Sequence, residues 1–178
     1  MSRPAAEPVA VLSRGLDETL AIGRAVAGLC RAGDVVALGG ELGAGKTQLV
    51  RGLAAGLGLD PGDVSSPTFV FVHEYEPADP DDPDALTLVH VDAYRVTGPD
   101  DLASVGFDLD DDAFRRGCVV AVEWPARLGL PLDRHLTLRI EHAAESPDAR
   151  RLTAAAGYDW AERRDALAAA LRTRLPHD

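Results

Sequence analysis

The 178-residue chain is long enough for a single domain with a sizeable core, and we treat residues 1–178 as one domain. Apolar residues make up 46% of the sequence but aromatic residues only 5%, so the core must be built largely from Leu, Val and Ala. The net charge of −11 argues against a protein that holds nucleic acid by itself, and because no stretch approaches the ~20 apolar residues of a membrane span, we predict a cytoplasmic protein without membrane contact.

The first predicted elements lead into a glycine-rich segment. Residues 9–12 are typical of a short strand, and the helix that follows would carry Ile22, Val26 and Leu29 on one face. Asp34 opens the unbroken apolar run at residues 35–38, which is typical of a strand buried on both faces of a parallel sheet. The glycine-rich segment therefore begins where a buried strand ends.

This segment, GELGAGKT at residues 40–47, matches the phosphate-binding pattern G-x-x-x-x-G-K-[ST]. Its lysine, Lys46, is the only lysine among 18 Lys and Arg residues. Glycines let backbone N–H groups turn toward phosphates, the lysine reaches the β- and γ-phosphates as a compact charge, and the Thr47 hydroxyl coordinates Mg²⁺. Apolar residues at helical spacing follow Thr47 up to Leu57, which predicts a helix that ends at Gly58. The segment predicts a nucleoside triphosphate site at a helix N-terminus.

The rest of the chain predicts more strands and a final helix. The helix begins near Asp159, with Trp160, Leu167 and Leu171 on one side. The Pro- and Asp-rich residues 77–84 predict an exposed acidic loop. We expect an α/β, P-loop NTPase-like three-layer sandwich with a mixed sheet, parallel around the phosphate loop and antiparallel at the edge. The further strands are predicted at residues 68–72, 86–92, 118–122, 136–141 and 151–155.

Two predicted strands end in carboxylates, Asp92 and Glu123, at the edge where open α/β sheets bind ligands. Asp92 matches the strand-end aspartate that holds Mg²⁺ opposite the loop threonine. Glu123 could bind the same ion, directly or through water, or could orient the attacking water. We therefore predict Thr47, Asp92 and Glu123 as metal ligands and Lys46, Asp92 and Glu123 as catalytic residues.

Other polar and aromatic residues fall near this site. Ser66 and Thr68 lie between the loop helix and the next strand, where many NTPases carry a segment that senses the γ-phosphate. Trp124, directly after Glu123, could stack on an adenine or belong to the core or the surface. His90 is predicted to pack within its strand.

Four motifs in this order give the chain a resemblance to a known family. They are GELGAGKT at residues 40–47, SPTF at 66–69, HVDAYR at 90–95 and EWP at 123–125. Together they resemble TsaE, the small P-loop ATPases of the bacterial tRNA threonylcarbamoyladenosine pathway. The resemblance spans most of the chain.

The resemblance implies ATP and Mg²⁺ as cofactors. Lys46 would bind phosphate, Thr47 and the two acids would arrange Mg²⁺, and Trp124 would lie near the nucleotide. It also implies action alongside TsaB and TsaD, the pair that transfers the threonylcarbamoyl group to an adenosine next to the anticodon, so that tRNA is met through this complex. The residues expected to contact the nucleotide are Gly43, Ala44, Gly45, Lys46, Thr47, Gln48, Thr68 and Trp124.

The chain departs from the family pattern at several positions. Gln48 replaces the usual second threonine, Ala93 stands where leucine is usual, and Ala126 replaces an acid. The loop at residues 77–84 is longer than usual. None of these changes touches the lysine, the threonine or the paired acids.

Three other functions compete with an ATPase. A GTPase of the usual kind needs an Asn-Lys-x-Asp element, which a chain without asparagine and with one lysine cannot contain. A small-molecule kinase would share the phosphate loop and could use Arg115, Arg116 and Arg127 as a phosphate-clamping lid. A module that binds nucleotide without turnover is disfavoured by the presence of both Asp92 and Glu123.

Overall fold

A computed structural model describes residues 7–67, 71–79, 81–97, 101 and 117–173. The strands are β1 (Val9–Ser13), β2 (Val35–Gly39), β3 (Val72–Tyr75), β4 (Thr87–Asp92), β5 (Cys118–Glu123), β6 (Leu136–His142) and β7 (Arg150–Ala156). The helices in the described ranges are α1 (Leu16–Ala27), α2 (Lys46–Gly56) and α3 (Arg164–Thr173), with 3-10 turns at Pro125–Leu128 and Tyr158–Arg163.

All seven strands form one sheet in the order β1-β7-β6-β2-β5-β4-β3. The central strands β6, β2, β5 and β4 are parallel, whereas β7 runs antiparallel to both of its neighbours and β3 runs antiparallel to β4. Residues 35–38 of β2 are fully buried because strands flank β2 on both sides and apolar clusters cover both faces. The predicted α/β fold with a mixed sheet is confirmed, and antiparallel pairing occurs at both edges.

One predicted strand is displaced along the chain. Of the predicted residues 68–72, residues 68–70 lie outside the described ranges, and β3 begins only at Val72. Phe71 has a φ of 68°, a left-handed conformation that is rare for a bulky side chain, and its N–H donates to the Pro67 carbonyl at 2.7 Å. The prediction of a strand through Phe71 was wrong because the backbone bends there: the Phe71 carbonyl accepts from the Asp92 N–H at 2.9 Å, but the strand itself begins at Val72.

Helices α1 and α2 approach each other closely on one face of the sheet. A Cβ atom on Gly52 of α2 would lie 2.4 Å from the Leu20 carbonyl oxygen and 2.8 Å from the Gly23 Cα of α1. Apolar residues of α1, α2 and α3 share one buried cluster with the sheet residues of that face. The helix that follows the phosphate loop is therefore held backbone to backbone against α1.

This contact predicts that Gly52→Ala destabilises the protein. Overpacking a core costs roughly 1–3 kcal/mol, and here the clash is with backbone, which cannot rotate away. The gain in helix propensity, about 1 kcal/mol, offsets part of this cost. Urea denaturation should give a lower transition midpoint for the variant.

Gly28→Ala is the matched control, because a Cβ at Gly28 would have no atom closer than 3.7 Å. Its midpoint should equal or exceed that of the parent. Equal midpoints for Gly52→Ala and the parent would show that the two helices do not approach as closely as described.

A buried ion pair joins the segment before α3 to the start of β2. Arg163 donates from Nη2 to Asp34 Oδ1 at 2.8 Å, and from Nη1 to the second carboxylate oxygen and to the Leu29 carbonyl. Both side chains are 8% exposed, and the guanidinium lies 4.0 Å from the centre of the Trp160 ring. The hydrogen bond with Asp34 raises the pKa of Arg163, so the guanidinium stays charged.

Two surface properties complete the fold. Asp79 and residues 81–84 of the acidic segment are exposed. Within the part of the chain that the structure describes, none of the helices combines the length and apolar character needed to cross a lipid bilayer.

Candidate active site

The phosphate loop (residues 40–47) connects the end of β2 to the start of α2 and lines a cleft of about 920 Å³. Gly45 has a φ of 114°, a conformation that favours glycine. Gly40 lies so close to β6 that an added Cβ would be 2.3 Å from the Ile140 carbonyl oxygen. The loop is therefore seated directly on the edge of the parallel sheet, with the N-terminus of α2 opening into the cleft.

Lys46 is buried at the mouth of this loop. Its Nζ donates to the Gly40 and Glu41 carbonyls at 2.9 and 2.8 Å, and it lies 4.1 Å from the centre of the Trp124 ring. Burial lowers the pKa of Lys46, while the negative charge of Glu123 opposes that shift. An ammonium held in this way can exchange its carbonyl partners for phosphate oxygens.

The two predicted acids meet at one edge of the sheet, because Asp92 of β4 and Glu123 of β5 are register partners on parallel strands. Both side chains are buried. Thr47 Oγ1 donates to Glu123 Oε1 at 2.8 Å. Ser66 Oγ donates to Asp92 Oδ2 at 2.9 Å, and the Tyr94 N–H donates to Asp92 Oδ1 at 2.9 Å. Lys46, Thr47 and the two carboxylates all line the same cleft.

This donor set suits one kind of metal site. Among the described residues, no cluster of three or more His, Cys, Asp or Glu side chains is arranged to hold a metal ion. Mg²⁺ usually binds through one or two carboxylates together with phosphate oxygens and water. Thr47, Asp92 and Glu123 supply hard oxygen atoms, so they fit Mg²⁺ carried by a nucleotide better than an ion held by protein alone.

Trp124 lies at the end of the cleft that the phosphate loop lines. It is half-buried, its φ is 59°, and its N–H donates to the Leu38 carbonyl at 3.2 Å. Its ring packs on Tyr94 with centroids 5.1 Å apart and against the Lys46 ammonium. A role in nucleotide binding stays a prediction, and the position favours contact near the phosphates over stacking on a distant base.

Other predicted site residues have different outcomes. Gln48 lines the cleft and accepts a hydrogen bond from Arg51 at 3.3 Å. Thr68 lies outside the described residues, as do Arg115 and Arg116 of the suggested lid. Arg127, the third member of that lid, is exposed.

Two contacts of the site were not predicted. Arg150 of β7 lines the cleft and donates from Nε to the Ala44 carbonyl of the phosphate loop at 2.9 Å, across 106 residues of sequence. His90 of β4 lies with Nε2 2.9 Å from Glu123 Oε1, so it reaches across to the neighbouring strand. No local pattern marks either pair, since each joins residues from separate strands or loops.

Comparison with known proteins identifies the family. The sequence model described as "Threonylcarbamoyl adenosine biosynthesis protein TsaE" matches residues 13–152, which include every site residue named above. A tRNA threonylcarbamoyladenosine biosynthesis protein TsaE from Mycobacterium leprae is 38% identical over 157 residues, covering 88% of this chain and 93% of that protein. The corresponding protein of Mycobacterium tuberculosis H37Rv is 38% identical over 132 residues, covering 74% and 77%.

The fold agrees with a solved structure as well. A crystal structure of YdiB from Bacillus subtilis superposes with a TM-score of 0.65 at 29% identity, covering 96% of this chain and 97% of that one. The match to the family model, residues 13–152, includes the phosphate loop, the strand-end acids and β6, and it ends within β7. The chain belongs to the TsaE family of tRNA threonylcarbamoyladenosine biosynthesis proteins.

Proposed function

We propose that this protein binds ATP with Mg²⁺ and hydrolyses it, and that this turnover drives cycling of a TsaB–TsaD complex during tRNA modification. The observation that supports the proposal most is the convergence of Lys46, Thr47, Asp92 and Glu123 in one cleft at the carboxyl edge of parallel strands. Family membership indicates the pathway, tRNA threonylcarbamoyladenosine biosynthesis. The arrangement of the four site residues supports ATP hydrolysis as the reaction.

Each residue has a role in this proposal. The Lys46 ammonium leaves the loop carbonyls for the β- and γ-phosphate oxygens, where its charge counters the charge of the transferred group. Thr47 and Asp92 would hold the metal, which would supply positive charge against the negative charge that develops on the phosphate group. Glu123 would either bind the same metal or orient the attacking water. Its side chain is buried, which restricts its movement in either role.

The electrostatics of the chain bear on its partners. With a net charge of −11 the protein lacks the excess of basic residues that unaided binding to nucleic acid normally requires. Contact with tRNA therefore runs through the TsaB–TsaD complex in this proposal. Slow hydrolysis by the isolated protein follows if the partners help to assemble the reactive geometry.

The test is to measure phosphate release from ATP by the protein alone and with TsaB, TsaD and tRNA. We expect slow release alone and faster release with the partners, together with loss of threonylcarbamoyladenosine from tRNA in cells that lack the protein. A small-molecule kinase would instead consume ATP in step with a phosphorylated metabolite and leave tRNA modification unchanged. That result would replace the proposed function.

Tryptophan fluorescence gives a second prediction, because the chain has only two tryptophans and they differ in position. Trp124 is half-buried in the cleft against Lys46, whereas Trp160 is fully buried in the core under Arg163. ATP or ADP should draw the Lys46 ammonium toward phosphate and so change the emission of Trp124. The emission change should persist in Trp160→Phe.

The matched variant Trp124→Phe should lose the change while keeping the emission of Trp160. If the signal instead survives in Trp124→Phe and vanishes in Trp160→Phe, nucleotide binding acts on the core near α3 and the assignment of the cleft is wrong.

A further inference from the structure

We propose that His90 is a positioning residue for Glu123: its Nε2–H hydrogen bond fixes the orientation in which that carboxylate works. The inference rests on the proposed function, in which Glu123 serves the metal or the attacking water. It gives a role in the site to the first residue of the HVDAYR motif, a residue that the sequence predicted only to pack within its strand. His90 does not touch the nucleotide in this scheme, because it acts through Glu123.

The first observation concerns the hydrogen-bond donors around the buried Glu123 carboxylate. Its side chain is only 5% exposed, so its charge needs hydrogen-bond donors. One oxygen, Oε1, accepts from Thr47 Oγ1 at 2.8 Å and lies 2.9 Å from His90 Nε2. In the proposed nucleotide-bound state the Thr47 hydroxyl turns to the metal. Of the two donors described for Oε1, the one that then remains is His90.

The second observation is how the sheet delivers the imidazole. His90 precedes Asp92 by two residues on β4, so their side chains point to the same face of the sheet. Its register partner on β5 is Ala121, which is followed two residues later by Glu123. Because Ala121 carries only a methyl group on that face, the ring can extend diagonally toward the next side chain of β5. The same face carries the packing against α2 and the phosphate loop.

The third observation concerns the hydrogen on the ring. A carboxylate oxygen accepts, so the atom facing Glu123 must be the donor, and His90 carries its hydrogen on Nε2. Its other nitrogen, Nδ1, is buried and has no hydrogen-bond partner among the described residues. A hydrogen on that nitrogen would be left buried and unpaired, which disfavours the alternative tautomer. His90 is thus a donor aimed in one direction, at Glu123.

A histidine with only a packing role would be equally buried, but it would not need a hydrogen bond from Nε2 to Glu123. Residues that orient site carboxylates and ligands through hydrogen bonds typically affect activity by about 10–100-fold when they are replaced. A space-filling residue would instead affect stability alone. The two roles are therefore separated by measurements that respond to the hydrogen bond itself.

The first test reads that hydrogen bond without nucleotide or metal. Nitrogen-15 NMR of the five histidines, with His90 assigned through His90→Gln, should show the Nε2-protonated tautomer. Glu123→Gln should shift the His90 Nε2 resonance, because a neutral amide is a weaker acceptor than a carboxylate. An Nδ1-protonated ring, or an unchanged resonance in Glu123→Gln, would overturn the proposal.

The second test reads catalysis in the full chain with TsaB and TsaD. His90→Leu should lower kcat for ATP about 10–100-fold and leave KM for ATP near the parent value. His90→Gln should recover most of the loss, since its amide offers a donor near the Nε2 position. Leu88→Val, a buried change on the same face of β4, should leave kcat unchanged.

The outcomes distinguish this inference from the proposed function. If the parent protein hydrolyses no ATP under any condition, the proposed ATPase function is wrong. The NMR measurement still tests whether His90 donates a hydrogen bond to Glu123. Suppose instead that the parent hydrolyses ATP. If His90→Leu is then equally active, or if His90→Gln is as inactive as His90→Leu, only the positioning role of His90 is wrong. Should His90→Leu fail to fold, His90→Gln and the NMR measurement decide the matter.

Discussion

Lys46→Ala is expected to abolish ATP hydrolysis while leaving the fold intact. The ammonium is the only lysine charge in the chain, and it lies at the mouth of the phosphate loop beside two buried carboxylates. Without it, nothing in the loop side chains counters the charge of the β- and γ-phosphates, and loss of one such group typically costs about 100-fold or more in turnover. Its bonds are to carbonyls of the loop, so the core of the sheet is not altered.

Phosphate release and thermal unfolding measured side by side test this expectation. Arg151→Ala is the matched control, since Arg151 is an exposed cation on β7 that pairs with Glu145 at 3.5 Å and does not line the cleft. It should hydrolyse ATP like the parent. Turnover by Lys46→Ala near the parent rate would show that the phosphate site lies elsewhere.

Arg163→Met is expected to lower the free energy of unfolding by about 3–5 kcal/mol, because it leaves the Asp34 carboxylate buried without its ionic partner. Folded proteins are stabilised by only about 5–15 kcal/mol in total. The variant should therefore be close to unfolding at growth temperature. Its loss should exceed that of any change to an exposed ion pair.

Urea denaturation of three variants checks the size and cause of this loss. Arg151→Met removes an exposed ion pair with Glu145, and such pairs contribute about 1 kcal/mol or less. Adding Asp34→Leu to Arg163→Met should recover part of the stability, because the unpaired charge is then gone. If Arg163→Met and Arg151→Met lose the same small amount, Asp34 is not held in a dry environment.

The parts of the site that sequence predicts are the parts set by local pattern. The phosphate loop needs glycines, one lysine and one threonine within eight consecutive positions, and an apolar run on one side with a helical period on the other places it between β2 and α2. Asp92 and Glu123 follow from the same logic, since each ends an apolar strand and parallel strands end at one edge.

The parts that sequence does not predict depend on contacts between distant segments. Arg150 meets the phosphate loop from the last strand, and His90 meets Glu123 across 33 residues, so neither pair leaves a periodic signal. The boundary of β3 depends on the left-handed bend at Phe71, a residue type that usually favours the strand interior. The four residues of β3 lie at the sheet edge and are mostly polar and half-exposed. This weakens the alternation of apolar and polar residues that marks a strand in the sequence.

The strand order also sets when the chain can fold during synthesis. β2 leads into the phosphate loop, yet its two neighbours are β5 and β6, and β1 pairs with β7, the last strand. Contacts between residues far apart in sequence are made against chain entropy, so they form late and slow the overall process. The loop that carries Lys46 leaves the ribosome well before either strand that will flank it. Until those strands emerge, β2 and β1 are apolar segments with open edges, the kind of surface that draws nascent chains into aggregation or chaperone binding.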